Sequence, residues 1–211
     1  MTRLGVVTAP GSMDAAVALR AVRLAGVEAV ELPTSVPDLR GVDAVLLHGG
    51  GGSPLLSAVV DAAGRGLPVL GIGDGFRVLC EAGLLPGSLV GNASGRFVGR
   101  DQRVRVASRD TVWTCAFDEG QEATFVLRTA QGRFVADPDA LERLEGENQV
   151  VLRHVGDPTG SANDIAGITN ARGTVVGFVV HTEYAMESLV APSEDGRLVL
   201  HGVVSFLRAA G

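Results

Sequence analysis

Residues 67–77, Leu-Pro-Val-Leu-Gly-Ile-Gly-Asp-Gly-Phe-Arg, constrain the fold more than any other part of this chain. An apolar run over 69–72 leads into glycines at 71, 73 and 75. Phe76, Val78, Leu79 and Ala82 then follow at helical spacing, and Gly83 marks a stop. That order of periodicities predicts a buried strand, a sharp turn and a helix. A turn of this kind is a nucleophile elbow, whose tip residue is held in a strained conformation above a sheet edge with a helix N-terminus behind it. Acyl transfer from such a tip needs Ser or Cys. Here the tip is Gly73, which has no side chain.

The preceding residues supply the frame for that turn. Residues 4–8 are a short apolar run that ends at the turn signal Ala9-Pro-Gly11. Ser12 is placed to cap a helix with apolar positions Ala15, Ala18, Leu19, Val22 and Ala25, closed by Gly26. Residues 27–32 read as a second strand, 33–39 as loop and 42–47 as a third strand, uninterrupted and so buried on both faces. It runs into His48-Gly-Gly-Gly-Gly-Ser-Pro54. Ser53 is a good N-cap there, Pro54 a good first helical residue, and Leu55, Leu56, Val59, Val60 and Ala63 form the buried face. The order β-α-β-β-α-β-α implies a mostly parallel sheet covered by helices. Ligands of such sheets bind beyond the carboxyl ends of the strands, where the 49–52 loop and the elbow both lie.

Beyond Pro86 the elements shorten. Segments 104–107, 112–117 and 123–127 are β-like, and 137–144 is a helix capped by Asp137. Strands follow at 150–154, 165–169 and 175–180, the last ending at His181-Thr-Glu183. A final helix, capped at Ser193, carries Leu198, Val199, Val203, Val204 and Leu207. The expected fold is α/β, an open and mostly parallel sheet flanked by helices with small antiparallel additions, in one domain over 1–211.

Composition excludes several functions. A formal charge of −6 argues against nucleic acid and anionic membrane as partners. Every basic residue is arginine, so Schiff-base lysine chemistry is ruled out. Cys80 and Cys115 give neither a disulfide framework nor metal-binding CxxC spacing. The N-terminal apolar run is too short for a signal peptide, and no stretch reaches the length of a membrane span. The expected compartment is the cytoplasm, and no metal or cofactor is expected.

A strand ending in His-x-Glu, a glycine loop after the third strand and an elbow together suggest a Cys-His-Glu glutaminase arrangement. A thiolate attacks the glutamine amide, His181 shuttles the proton and Glu183 orients His181. Backbone N–H groups near Gly50, Gly51 and Asp74 would form the oxyanion hole.

With these residues the chain resembles the class I glutamine amidotransferases, of flavodoxin-like architecture, and among them the amidotransferase subunits of phosphoribosylformylglycinamidine synthases of purine biosynthesis. The resemblance covers nearly the whole chain. It is carried by Gly71-Ile-Gly-Asp-Gly-Phe76, Glu81-Ala-Gly-Leu-Leu-Pro-Gly87, Asn92-Ala-Ser, Arg96-Phe97, Gly132-Arg-Phe-Val-Ala-Asp137, Asp157-Pro-Thr-Gly-Ser161, Asn163-Asp-Ile-Ala-Gly-Ile168 and His181-Thr-Glu183. It implies a synthetase partner resembling the large subunit of that synthase. The departures fall on the site. By the resemblance, Gly73 stands where the family has its catalytic cysteine and Asp74 where it has asparagine. His181-Thr182-Glu183 replaces His-Pro-Glu, Thr129-Ala-Gln-Gly132 replaces His-Gly-Glu-Gly, and the glycine loop is shortened.

Those losses are chemically coherent. Without a thiolate there is no acyl-enzyme. A carboxylate at Asp74 would repel a developing oxyanion, while it favours a helix N-terminus by roughly 0.3–1 kcal/mol. The site therefore reads as degenerate, in a docking or regulatory subunit with a small-molecule crevice. The alternative is recruited chemistry, with His181, Glu183, Asp74 and His48 binding a metal or activating water on a small amide, ester or anion. Cys80 reads as a packed core residue and Cys115 as structural. Arg96, Arg100 and Arg103 read equally well as an anion or partner surface and as solvated strand residues, and the glycine loop as a weak anion cradle.

Overall fold

The computed structural model describes residues 2–8 and 13–210, and the expected cap Ser12 and turn at 9–11 lie outside the described residues. The first half alternates as the periodicity predicts. Strand β1 (Arg3–Thr8), helix α1 (Met13–Leu24), β2 (Glu28–Pro33), β3 (Ala44–Leu47), α2 (Pro54–Gly64), β4 (Val69–Ile72) and α3 (Asp74–Glu81) succeed one another. The second half holds β5 (Ser88–Val90), β6 (Val98–Val106), β7 (Glu122–Thr129), β8 (Arg133–Val135), α4 (Pro138–Gly146), β9 (Val150–His154), β10 (Ile165–Thr169), β11 (Val175–Phe178) and α5 (Gly196–Ala210).

Nine of the strands form one sheet in the order β2-β1-β3-β4-β11-β10-β9-β6-β7. Neighbours from β2 to β11 are parallel. From β11 to β7 they are antiparallel, so the antiparallel additions continue the same sheet. The two short strands β5 and β8 pair separately. β3, β4, β10 and β11 are buried along their whole length, as unbroken apolar runs between covered faces require.

Glycine sets how closely α3 returns over this sheet. A Cβ on Gly71 would stand 2.7 Å from the backbone of Gly75. One on Gly75 would overlap the carbonyl of Leu47 at the end of β3, and one on Gly177 would overlap the ring of Phe76. Phe76 also stacks on Phe134 of β8 at 5.8 Å, so the elbow helix and the small sheet share one aromatic contact.

The structure differs from the sequence expectations at identifiable places. Residues 112–117 are not a strand but a turn. The Thr111 hydroxyl accepts from the backbone N–H groups of Trp113 and Thr114, at 3.1 and 3.0 Å, and this local bonding replaces a sheet ladder. The strand expected at 104–107 begins at Val98, and Arg100 and Arg103 on it are both exposed. Arg103 pairs with Glu122 across the ladder at 3.0 Å. In α2, Ser53 accepts from the Leu56 N–H as expected, but Ala62 joins the buried face while Leu56 and Val60 are only partly covered. Ser193 does not cap α5, which begins at Gly196. Its hydroxyl donates to the Thr124 carbonyl at 2.6 Å. No described helix is long and apolar enough to cross a membrane.

The contact between Gly75 and Leu47 gives a direct test. Gly75→Ala should lower stability in denaturant unfolding by about 3 kcal/mol, the upper range for overpacking. Gly64→Ala, where a Cβ meets nothing within 4 Å, should be neutral or stabilise by roughly 0.5–1 kcal/mol.

Candidate functional site

Segments distant in sequence meet at the carboxyl ends of β3, β4 and β11. β4 turns directly into α3, and Gly73 between them has φ 56° and ψ −113°, outside the regions open to residues with a Cβ. The positive φ is what an intact elbow demands. The Gly73 N–H donates to the Phe178 carbonyl at 2.8 Å, and the Gly73 carbonyl accepts from the Phe76 N–H at 3.1 Å. A Cβ built on Gly73 lies 3.1 Å from Nε2 of His181. The tip still aims at the histidine.

His181 is held from two sides. Its backbone N–H donates to the Val126 carbonyl at 2.8 Å, an isolated bridge to β7. The following turn, Thr182–Tyr184, is covered by the start of α5, where a Cβ on Gly196 would overlap the Thr182 carbonyl. His181 Nδ1 lies 2.9 Å from Glu183 Oε1, and both side chains are buried. Burial alone would depress the imidazole. The charge and hydrogen bond of Glu183, with Asp14 beyond, outweigh it and hold the His181 pKa above the ordinary value. Nδ1 on the carboxylate leaves Nε2 facing Gly73, the geometry of a base oriented by a third group.

His48 ends β3 next to the same carboxylate, with Nδ1 3.6 Å from Glu183 Oε1. Burial pushes its pKa down despite the attraction of Glu183. Among the described residues, neither ring nitrogen has a hydrogen-bond partner, nor does Glu183 Oε2. Asp74 opens α3 and accepts from Arg77 Nε at 2.7 Å, while Arg77 also pairs with Glu81. Asp74 Oδ2 lies 3.1 Å from where a Cβ on Gly49 would stand, so the carboxylate sits beside the glycine loop. Its pairing with Arg77 offsets part of the repulsion expected from the sequence.

These groups surround a cavity of about 260 Å³ lined by Asp14, His48, Gly73, Asp74, Arg128 and His181, together with Arg77 and residues 129–131. Gly50 and Gly51 are not among its lining residues. A Cβ on Gly50 would face Thr34 and Val7, and one on Gly51 would face Val78. Cys80 and Cys115 do not line it either. The Cys80 thiol donates to the Pro86 carbonyl, and burial pushes its pKa up to about 12.

Sequence reasoning missed Asp14, Arg128 and Tyr184. The Tyr184 hydroxyl donates to Asp14 at 2.7 Å, and Arg128 donates to both, its guanidinium 5.3 Å from the Tyr184 ring centroid. Burial and the Asp14 carboxylate raise the Tyr184 pKa to about 12. Burial alone would raise Asp14, but the Tyr184 hydrogen bond and the charges of His181 and Arg128 hold it below the ordinary range. No motif spacing links three residues on different elements. The one adjacent signal was Tyr184 following His181-Thr-Glu183.

Elbow, histidine and orienting carboxylate define a class of domain. Residues 53–200 match the CobB/CobQ-like glutamine amidotransferase domain. Among curated relatives, the chain is 47% identical to phosphoribosylformylglycinamidine synthase subunit PurQ of Frankia casuarinae, over 98% of this chain and 95% of that protein. It is 45% identical to PurQ of Rhodococcus jostii, over 99% of each. The solved structure of PurLQS from Thermotoga maritima contains a chain 32% identical, with TM-score 0.88 over 98% of this chain and 99% of that one. A putative GMP synthase subunit from Thermoplasma acidophilum, 17% identical over 100% of this chain and 96% of its own, shares the fold at TM-score 0.71. The chain belongs to the PurQ family of glutamine amidotransferase subunits.

Two measurements probe the site. Gly73→Ala should destabilise the fold by roughly 1–3 kcal/mol, because the backbone conformation disfavours any Cβ; chemical denaturation reads the sign. NMR titration in metal-free buffer should place the His181 imidazole above the ordinary value of 6.5, and Glu183→Gln should bring it below. The stabilisation from His181 is then complete below about pH 6.5 and is lost as the pH rises through its raised value. The lowered His48 works in the opposite sense, its burial becoming destabilising as the pH falls below 6.5.

Proposed function

We propose that this chain is a PurQ-like subunit without glutaminase activity of its own, acting as the partner of a PurL-like synthetase in purine or purine-like specialised metabolism. One observation carries the reading: the elbow is formed and aimed at His181 Nε2, and the residue at its tip is Gly73. Base and orienting carboxylate have no attacking atom between them and a substrate amide. Neither cysteine substitutes, since Cys80 is packed with its thiol protonated near neutral pH and neither lines the crevice. Retention of the family's fold over the whole chain, beside loss of the one nucleophile, supports selection for docking. Docking would stabilise the synthetase, which would draw on free ammonia.

A second reading is favoured by His48, which brings an additional imidazole to Glu183. In it, His181, Glu183 and Asp74 act on a small amide, ester or anion without a covalent intermediate.

Glutamate release from glutamine decides the first reading. The purified chain, alone and co-expressed with its synthetase, should give no release above the blank, and the two chains should co-elute with a raised melting temperature for the complex. Glutamate release abolished by Cys80→Ser or Cys115→Ser would overturn the loss of glutaminase, and failure to co-elute would overturn the docking role. Gly73→Cys alone should yield a thiol that alkylates readily yet restores little turnover, because Asp74, Thr129 and the shortened loop still differ from a working site.

A further inference from the structure

We propose that His48, His181 and Glu183 form a binding site for a divalent cation of the zinc type. One ligand atom from each residue lies within 4.8 Å of the other two. The separations, 2.9 Å from His181 Nδ1 to Glu183 Oε1 and 3.6 Å from His48 Nδ1 to the same oxygen, bracket the roughly 3.3 Å between donors set about 2.0–2.1 Å from a tetrahedral ion. Two imidazoles and one carboxylate are the donor set that suits zinc among the common divalent ions.

A second observation points the same way. His48 is buried to 3% side-chain exposure, with both ring nitrogens unpartnered among the described residues. Glu183, at 2%, leaves Oε2 unpartnered as well. Buried polar atoms of native proteins are paired with protein, water or an ion, so His48 Nδ1, unpartnered 3.6 Å from the Glu183 carboxylate, marks an unfilled requirement. The surrounding charge suits a cation. Glu183 and Asp14 face both imidazoles, and Arg128, bonded to Asp14 at 3.2 Å, is the cation opposing them among the residues acting on His181.

Three protein ligands leave a fourth position for water, as in catalytic rather than structural zinc sites. Binding requires both imidazoles to be neutral donors, so the proton shared between His181 and Glu183 leaves to solvent as the ion enters. The site is independent of whether a synthetase docks.

The test uses the full chain, stripped with chelator and titrated with Zn²⁺ against a chromophoric competitor. One equivalent should bind, and Co²⁺ in its place should give the intense visible absorption of a four-coordinate ion. His48→Ala and Glu183→Gln should each abolish that stoichiometric binding, while His201→Ala, an exposed position on α5, should keep it. Melting curves establish that the variants are folded. Should His48→Ala fail to fold, a crystal soaked in Zn²⁺ decides the question by anomalous scattering. Density between the three side chains supports the site, and an ordered water there without metal overturns it. Absence of binding up to millimolar Zn²⁺, or binding undiminished in His48→Ala, overturns it as well.

Discussion

The helix after the elbow can begin where it does only because three backbone positions carry no Cβ. Gly71 lets the chain double back on its own strand, and Gly73 takes a backbone conformation closed to other residues. Gly75 lets the first turn of α3 touch the Leu47 carbonyl at the end of the neighbouring strand. Position 73 is thereby held on a line toward His181. His181 is fixed in turn by a backbone bond to Val126 and by the Glu183 carboxylate. The frame that would hold a nucleophile is thus a property of packing. It persists whether or not a nucleophile is present.

Electrostatics divides the two histidines that share Glu183. They are buried alike, yet His181 is raised and His48 lowered, because His181 has the shorter contact and a hydrogen bond as well as the charge. One carboxylate stabilises one imidazolium well, and a second positive ring beside it is repelled. Asp74 shows the converse. A carboxylate at the first position of α3, beside the crevice, is tolerated because Arg77, one turn along the helix, bonds to it.

Much of this was legible in the sequence because it is written in local periodicity. The strand, glycines and helix of 67–83, the Ser53-Pro54 helix start and the Asp137 cap depend on neighbours within four residues, and each appears where expected. The His181 and Glu183 pairing was legible because both residues leave one strand end. Residues 112–117 misled because Trp113 and Phe117 imitate a strand pattern, while Thr111 bonds locally and bends the chain. Ser193 misled because a serine ahead of an apolar helix looks like a cap whichever way its hydroxyl points. Asp14, Arg128 and Tyr184 meet only in three dimensions, and the proximity of His48 to Glu183 depends on where β3 and β11 end relative to one another.

β7 ends the sheet, and an end strand normally offers a row of unpaired amides and carbonyls to any extended peptide. Here part of that row is taken. The Thr124 N–H donates to Asp195 at 2.7 Å, its carbonyl accepts from Ser193, and the Val126 carbonyl accepts from His181. The residues that precede α5 and the histidine of the crevice thus act as a selvedge along this border, closing residues 124–126 to strand addition. A protein that approaches these residues meets side chains and loops rather than open backbone, and the same border is tied by one hydrogen bond to the backbone of His181.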